Sequence, residues 1–139
     1  WRRRMRSRKS EFDSFAIQCI LFLVSVSFVE TPLFTRQIVE SVGDEDYRAF
    51  QRELLADPER GELLVGCHGL RKVRMALGGR GKSGGAPVIY LHLPEDHIIY
   101  LFLLFKKSDQ ANLSKSQRNQ LGLLADQIKS EYARKRNHP

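Results

Sequence analysis

The 139-residue sequence predicts an α+β domain: an antiparallel sheet with an N-terminal helical hairpin and a C-terminal helix. Three observations predict it. Residues 24–30 alternate apolar and polar side chains as a half-buried strand does. Residues 31–56 and 114–132 carry apolar residues at three- and four-residue intervals behind helix-start signals. Between them, residues 69–105 hold three strand-like runs, and short connections make such runs antiparallel neighbours.

Taken in order, the first strand ends at Glu30. Thr31 followed by Pro32 is a helix start, with a capping side chain and then proline at the first helical position. Phe34, Ile38 and Val42 keep a helical spacing until Gly43 stops it. Asp44 is a candidate cap for a second helix, in which Tyr47, Phe50 and Leu54 recur before Asp57-Pro58 ends it. The two helices form a hairpin over one side of the sheet. A loop through Gly61 and Gly66 leads to a basic strand at 69–77. A second strand follows at 87–93, then a turn at Pro94-Glu95-Asp96. Residues 97–105 hold one side chain that ionises near neutral pH, His97, and read as a strand buried on both faces near the middle of the sheet. Ser114 and Gln117 make a capping box. Leu121, Leu124, Ile128 and Tyr132 then supply the apolar stripe of the last helix, and Arg134-Lys135-Arg136 suits its C-terminal end.

Residues 24–139 read as one domain and residues 1–23 as an extension outside it. The extension begins with Arg2, Arg3, Arg4, Arg6, Arg8 and Lys9 and continues into an apolar run at 15–24, short of the ~20 residues that span a bilayer. A basic start, an apolar run and small residues at Ser25 and Ser27 resemble a secretory signal cut after Ser27. Such a cut removes part of the first strand, and the remaining chain has no extracellular character. Upstream sequence translated in frame, with the working protein starting near Val24 or Val26, is the preferred reading.

Lys plus Arg number 23 against 16 Asp plus Glu, a net charge of +7. That excess favours nucleic acid or an anionic surface as partner, not a particular fold. Cys19 and Cys67 are far apart and make no CxxC or Cys/His spacing. Neither a structural zinc site nor a disulfide framework is expected, and the composition fits a reducing cytoplasm.

The chemistry concentrates in residues 69–85. Alternation along a strand places Val73, Met75 and Leu77 on one face and Lys72, Arg74 and Ala76 on the other. The strand then gives way to a glycine-rich loop carrying Arg80 and Lys82. Arg71, Lys72, Arg74, Arg80 and Lys82 stand here without a carboxylate. Like charges two apart on one strand face repel, so such a patch makes sense beneath a polyanion.

Conventional enzyme motifs are absent: there is no Gly-x-Ser-x-Gly elbow, and Gly81-Lys82-Ser83 has Leu77, not glycine, where a P-loop needs its first glycine. His68 beside Cys67 is a candidate acid or base in a loop, or a surface residue. His92 and His97 read as structural, and His138 belongs to a loose end. The cations suffice for one reaction, RNA cleavage, because the nucleophile is the substrate's own ribose 2′-hydroxyl. The protein must align attacker and leaving oxygen, stabilise the phosphorane and move two protons. Arginine's planar fork suits phosphate, and lysine serves as base where neighbouring cations lower its pKa. Simple phosphate binding by the same patch is the plainer alternative.

Several stretches together resemble a known family. Residues 28–35 (FVETPLFT), 46–54 (DYRAFQREL), 69–74 (GLRKVR), 79–85 (GRGKSGG), 88–90 (VIY) and 105–107 (FKK) are similar, in that order, to the RelE superfamily of toxins, nearest its HigB-like branch. The resemblance implies the toxin of a bacterial type II toxin–antitoxin pair. Such toxins act in the cytoplasm, enter the ribosomal A site and cut the messenger RNA there without metal or cofactor, leaving a 2′,3′-cyclic phosphate. It also implies a small helix-turn-helix antitoxin as partner, with operator DNA engaged only through that antitoxin and no membrane involved. By position, Lys72, Arg74 and Lys107 match the family's catalytic cations. Arg71, Arg80, Lys82 and Lys106 fall among its RNA-binding ones. Two departures stand out: Pro87 occupies a place where relatives often carry arginine, and Cys67-His68 replaces smaller residues. The superfamily's sheet also carries gyrase poisons, so a weakened binding module or gyrase inhibitor is the alternative function.

Overall fold

The computed structural model describes residues 25–78, 85–105 and 113–138. The segment read as an N-terminal extension lies outside them. The described chain runs β1 (Ser27–Glu30), α1 (Pro32–Ser41), α2 (Asp44–Ala56), β2 (Glu62–Leu63), β3 (Leu70–Met75), β4 (Ala86–Leu93), a short 3-10 turn (Pro94–Asp96), β5 (Ile98–Leu104) and α3 (Lys115–Asn137). This is the expected α+β order, with one short strand added at Glu62–Leu63.

The five strands form one sheet in the order β1-β5-β4-β3-β2. β3, β4 and β5 are antiparallel neighbours, as their short connections require. β1 instead runs parallel to β5, with Phe28 opposite Ile99, so the sheet is mixed and not wholly antiparallel. Local sequence patterns report alternation, not which distant strand a segment joins. β5 is interior as expected, lying between β1 and β4.

Helix boundaries follow local chemistry. The Thr31 hydroxyl accepts from the Phe34 amide at 3.0 Å and donates to the Phe102 carbonyl at 2.6 Å, capping α1 and tying it to β5. Gly43, not Asp44, is the cap residue of α2, and it makes no side-chain cap bond. Asp44, Glu45 and Asp46 instead occupy the first turn, where carboxylates interact favourably with the helix dipole. α3 has the expected capping box, each of Ser114 and Gln117 bonding the other's backbone N–H.

Helices cover both faces of the sheet. On one, Phe34, Ile38, Phe50 and Leu54 of the hairpin pack against Met75, Val88, Tyr90, Ile99, Leu101 and Leu104. On the other, Ala125 and Ile128 of α3 pack against Leu70, Ile89, Leu91, Leu93 and Phe102. Burying each large side chain contributes about 1.5–3 kcal/mol, so these two layers are the main source of stability. A bulge interrupts the β4–β5 register at Ile89/Tyr90. It allows Phe102 and Leu103 both to face the α3 side while Leu101 and Leu104 both face the hairpin.

α3 is held along its length. Arg118 donates to the Val65 carbonyl at 3.1 Å, His68 bonds Asp126 at 2.6 Å, and Lys129 donates to the His68 carbonyl. Near its end Arg136 pairs with Asp96 and lies 3.4 Å from Glu95. These contacts place the helix over the half of the sheet that contains Leu70 and the β4–β5 turn.

Candidate nucleic-acid interface

β3 presents its side chains as alternation demands. Val73 and Met75 join the hairpin-side core, while Leu70 belongs to the α3-side core. Lys72 and Arg74 therefore project on the α3 side, two residues and about 6.5 Å apart along the strand. Lys72 is half-buried and Arg74 exposed. β2 pairs only with Arg71 and Lys72, so β3 is an edge strand from Val73 onward and its cations are approachable from the side.

Register sets what lies beside them. Lys72 is opposite Ile89, Ile89 is opposite Leu103, and Arg74 is opposite Pro87. The Phe105 amide donates to the Pro87 carbonyl at 2.9 Å. Two rows thus cross the sheet, Lys72–Ile89–Leu103 and Arg74–Pro87–Phe105. The Arg74 guanidinium spends one N–H on the Gly85 carbonyl at 3.2 Å, which orients the side chain toward the start of β4. Pro87 brings no charge to the centre of this face, where the resemblance anticipates an arginine.

Of the seven cations singled out by sequence, the structure brings Lys72 and Arg74 together. Arg71 is on the opposite face. Its guanidinium donates to the Gly61 carbonyl at 2.7 Å and the Glu59 carbonyl at 3.0 Å, and lies 3.6 Å from the Glu59 carboxylate. Arg71 thereby clamps the α2–β2 loop and is not part of the Lys72/Arg74 surface. Arg80, Lys82, Lys106 and Lys107 lie outside the described residues. Their segments adjoin Gly78, Gly85 and Phe105, the described ends nearest Arg74.

The histidines do other work. His68, in a left-handed backbone conformation (φ 58°), bonds Asp126 of α3, and its ring packs over Gly122. His92 lies 3.2 Å from the Glu59 carboxylate, beside Arg71. His97 takes the left-handed position after the 3-10 turn, and His138 follows the end of α3. None stands with Lys72 and Arg74.

Sequence reasoning missed the residues that brace this end of the sheet. Gln37 of α1 bonds both backbone groups of Leu104. The Asp46 carboxylate accepts from the Gly78 amide at 2.9 Å, anchoring the end of the basic strand to α2. Tyr90 receives the Gly61 amide at 3.0 Å and donates to the Pro58 carbonyl at 2.8 Å, and burial pushes its pKa up. A polar side chain on the inward stripe of α1, three residues after Phe34, is the signal that would have found Gln37.

Among the described residues no three His, Cys, Asp or Glu side chains group to hold a metal ion, and no helix is long and apolar enough to cross a membrane. A mixed-sheet domain with two cations side by side at the edge of its sheet, Lys72 and the exposed Arg74, is thus the class of protein that the geometry defines. Residues 61–136, a little over half of the chain, match the model of the family described as the RelE toxin of the RelE / RelB toxin–antitoxin system. The chain belongs to the RelE toxin family. The match runs from Gly61, just ahead of β2, through nearly all of α3; β1 and the helical hairpin precede it.

Proposed function

We propose that this chain is a HigB-like toxin that halts translation by cutting messenger RNA in the ribosomal A site, without metal. Arg74 and Lys72 grip the scissile phosphate, and their charge stabilises the phosphorane formed when the ribose 2′-hydroxyl attacks. Lys107, which follows β5, supplies a third catalytic cation, and Arg80, Lys82 and Lys106 hold the flanking backbone. The observation that carries this reading is the placement of Lys72 and Arg74 side by side on one sheet face, with the exposed Arg74 on the part of β3 that β2 does not pair. Membership of the RelE family supports it, and an antitoxin partner follows from that membership. The proposed antitoxin is a small helix-turn-helix protein, which alone contacts operator DNA, and the proposed site of action is the cytoplasm.

Primer extension on messenger from cells induced to express the chain tests this. New 5′ ends inside translated frames are the expected result. Growth arrest without such ends would sink it. Pro87 favours one second reading, a binding module or gyrase inhibitor: the central strand offers no cation to the phosphorane. Arrest accompanied by relaxed or broken DNA, with messenger intact, would establish that alternative.

A further inference from the structure

We infer that the row Arg74–Pro87–Phe105 is a nucleobase subsite, in which the Phe105 ring stacks on a base whose 5′ or 3′ phosphate is held by Arg74. The inference rests on the RNA-directed reading above and names a contact that charge alone does not supply.

Phe105 directly follows β5, and its amide is fixed by the Pro87 carbonyl at 2.9 Å. The bulge at Ile89/Tyr90 puts Phe105 on the α3 side of the sheet, the side of Lys72 and Arg74. Without that extra residue its side chain would face the hairpin. Phe105 is half-buried: it packs against the α3-side core yet keeps part of its surface open. Phe34, Phe50 and Phe102 are at most 2 % exposed, and so have no face to offer a ligand.

Neighbouring strands lie about 4.8 Å apart, so the backbones of Arg74 and Phe105 are separated by roughly 10 Å across β4. One nucleotide bridges such a span from its phosphate to the far edge of its base. Pro87, buried between them, is an uncharged spacer that leaves Arg74 and Phe105 as the groups able to meet a ligand in this row. Every base has a π face, so a ring beside a cation holds RNA firmly while tolerating sequence. A protein ligand would find the same ring, but the adjoining Arg74 and Lys72 match a phosphate chain better than an apolar helix face.

The test uses a short single-stranded ribo-oligonucleotide with 2-aminopurine at one position, whose fluorescence falls on stacking, and a dye-labelled copy read by anisotropy. The wild-type chain is expected to quench the 2-aminopurine. F105Y should keep the quench, while F105L should abolish it and weaken binding ~5- to 100-fold. An oligonucleotide with an abasic residue at that position should bind the wild-type chain correspondingly weakly, a measurement that needs no variant to fold. Binding that depends on Arg74 but leaves 2-aminopurine unquenched, or a quench that survives in F105L, overturns the subsite and leaves the nuclease reading standing. Absence of any RNA binding, together with intact messenger in induced cells, overturns both. If F105L binds RNA as before but escapes neutralisation by the antitoxin, the ring serves a protein partner and the proposal is wrong.

Discussion

Gln37 and Leu104 are joined by a reciprocal pair of hydrogen bonds: the side-chain amide donates to the Leu104 carbonyl at 2.7 Å and accepts from its N–H at 2.9 Å. β1 pairs with β5 only as far as Leu101, and past that point β5 would be an open edge. Thr31 bonds the carbonyls of Leu101 and Phe102, and Gln37 then completes the edge as a strand would. The hairpin thus holds the end of β5 next to the row that contains Arg74.

Replacing Gln37 with leucine removes both partners of Leu104 and leaves two part-buried backbone groups unpaired. An unsatisfied group of this kind costs about 1–3 kcal/mol. Urea unfolding of Gln37→Leu should show a midpoint lowered in proportion with the slope unchanged. An unaltered midpoint would mean that the clamp contributes nothing.

Gly61 is where the loop passes closest to the sheet. A Cβ there would lie 2.9 Å from the Lys72 carbonyl oxygen and 2.9 Å from the Tyr90 ring. Gly61→Ala should therefore destabilise the fold by about 1–3 kcal/mol, as overpacking does. Because one of the clashing atoms is backbone, trimming the ring with Tyr90→Leu should not rescue it. Thermal melts of the single and double variants check both statements.

Lys72 and Arg74 should govern RNA affinity through charge. Each neutralised phosphate contributes roughly 0.7 to the slope of log affinity against log salt for single strands. Lys72→Ala and Arg74→Ala should each flatten that slope by about this amount and relieve growth arrest, and the unfolding midpoint of the exposed-site variant Arg74→Ala should stay near wild type. Arg71→Ala should do the reverse, lowering stability through its lost contacts with Glu59 and Gly61 and leaving the salt slope nearly unchanged.

Tyr47 gives stability a dependence on alkaline pH. Burial, and then its hydrogen bond to Glu30, push its pKa far above the usual 10. The folded chain therefore keeps this proton where the unfolded chain releases it. The contribution is complete below pH 10 and declines as pH rises further. Urea midpoints measured from pH 8 to 11 should fall for the wild type at the alkaline end, and less steeply for Tyr47→Phe.

Much of the fold was legible because it is written locally. Thr31-Pro32 and Ser114/Gln117 are capping chemistry, and the alternation in 70–75 reports which side chains share a face. The parallel pairing of β1 with β5 was not legible, since nothing in residues 27–30 names a partner some seventy residues away. β2 is two residues long and leaves no periodicity to read. In the site, alternation correctly put Lys72 with Arg74. The same alternation carried back one residue sets Arg71 with Val73, a step the sequence reading did not take when it counted Arg71 among the RNA-binding cations. Membership of a Leu-Arg-Lys signature argued the other way for Arg71, and the two carbonyls of the α2–β2 loop explain why an arginine stands there. Arg80, Lys82, Lys106 and Lys107 remain matters of sequence position.

The bulge in β5 has an effect on parity. Up to Phe102 the even-numbered residues Ile98, Tyr100 and Phe102 belong to the α3 layer; afterwards it is the odd-numbered Leu103 and Phe105. The strand changes phase once, midway along its length. Deleting either Phe102 or Leu103 would restore a single phase, swap the layer of the shortened strand's remaining tail or head, and set its apolar side chains against the wrong neighbours. One supernumerary residue thus decides which way the chain is facing when it leaves the sheet.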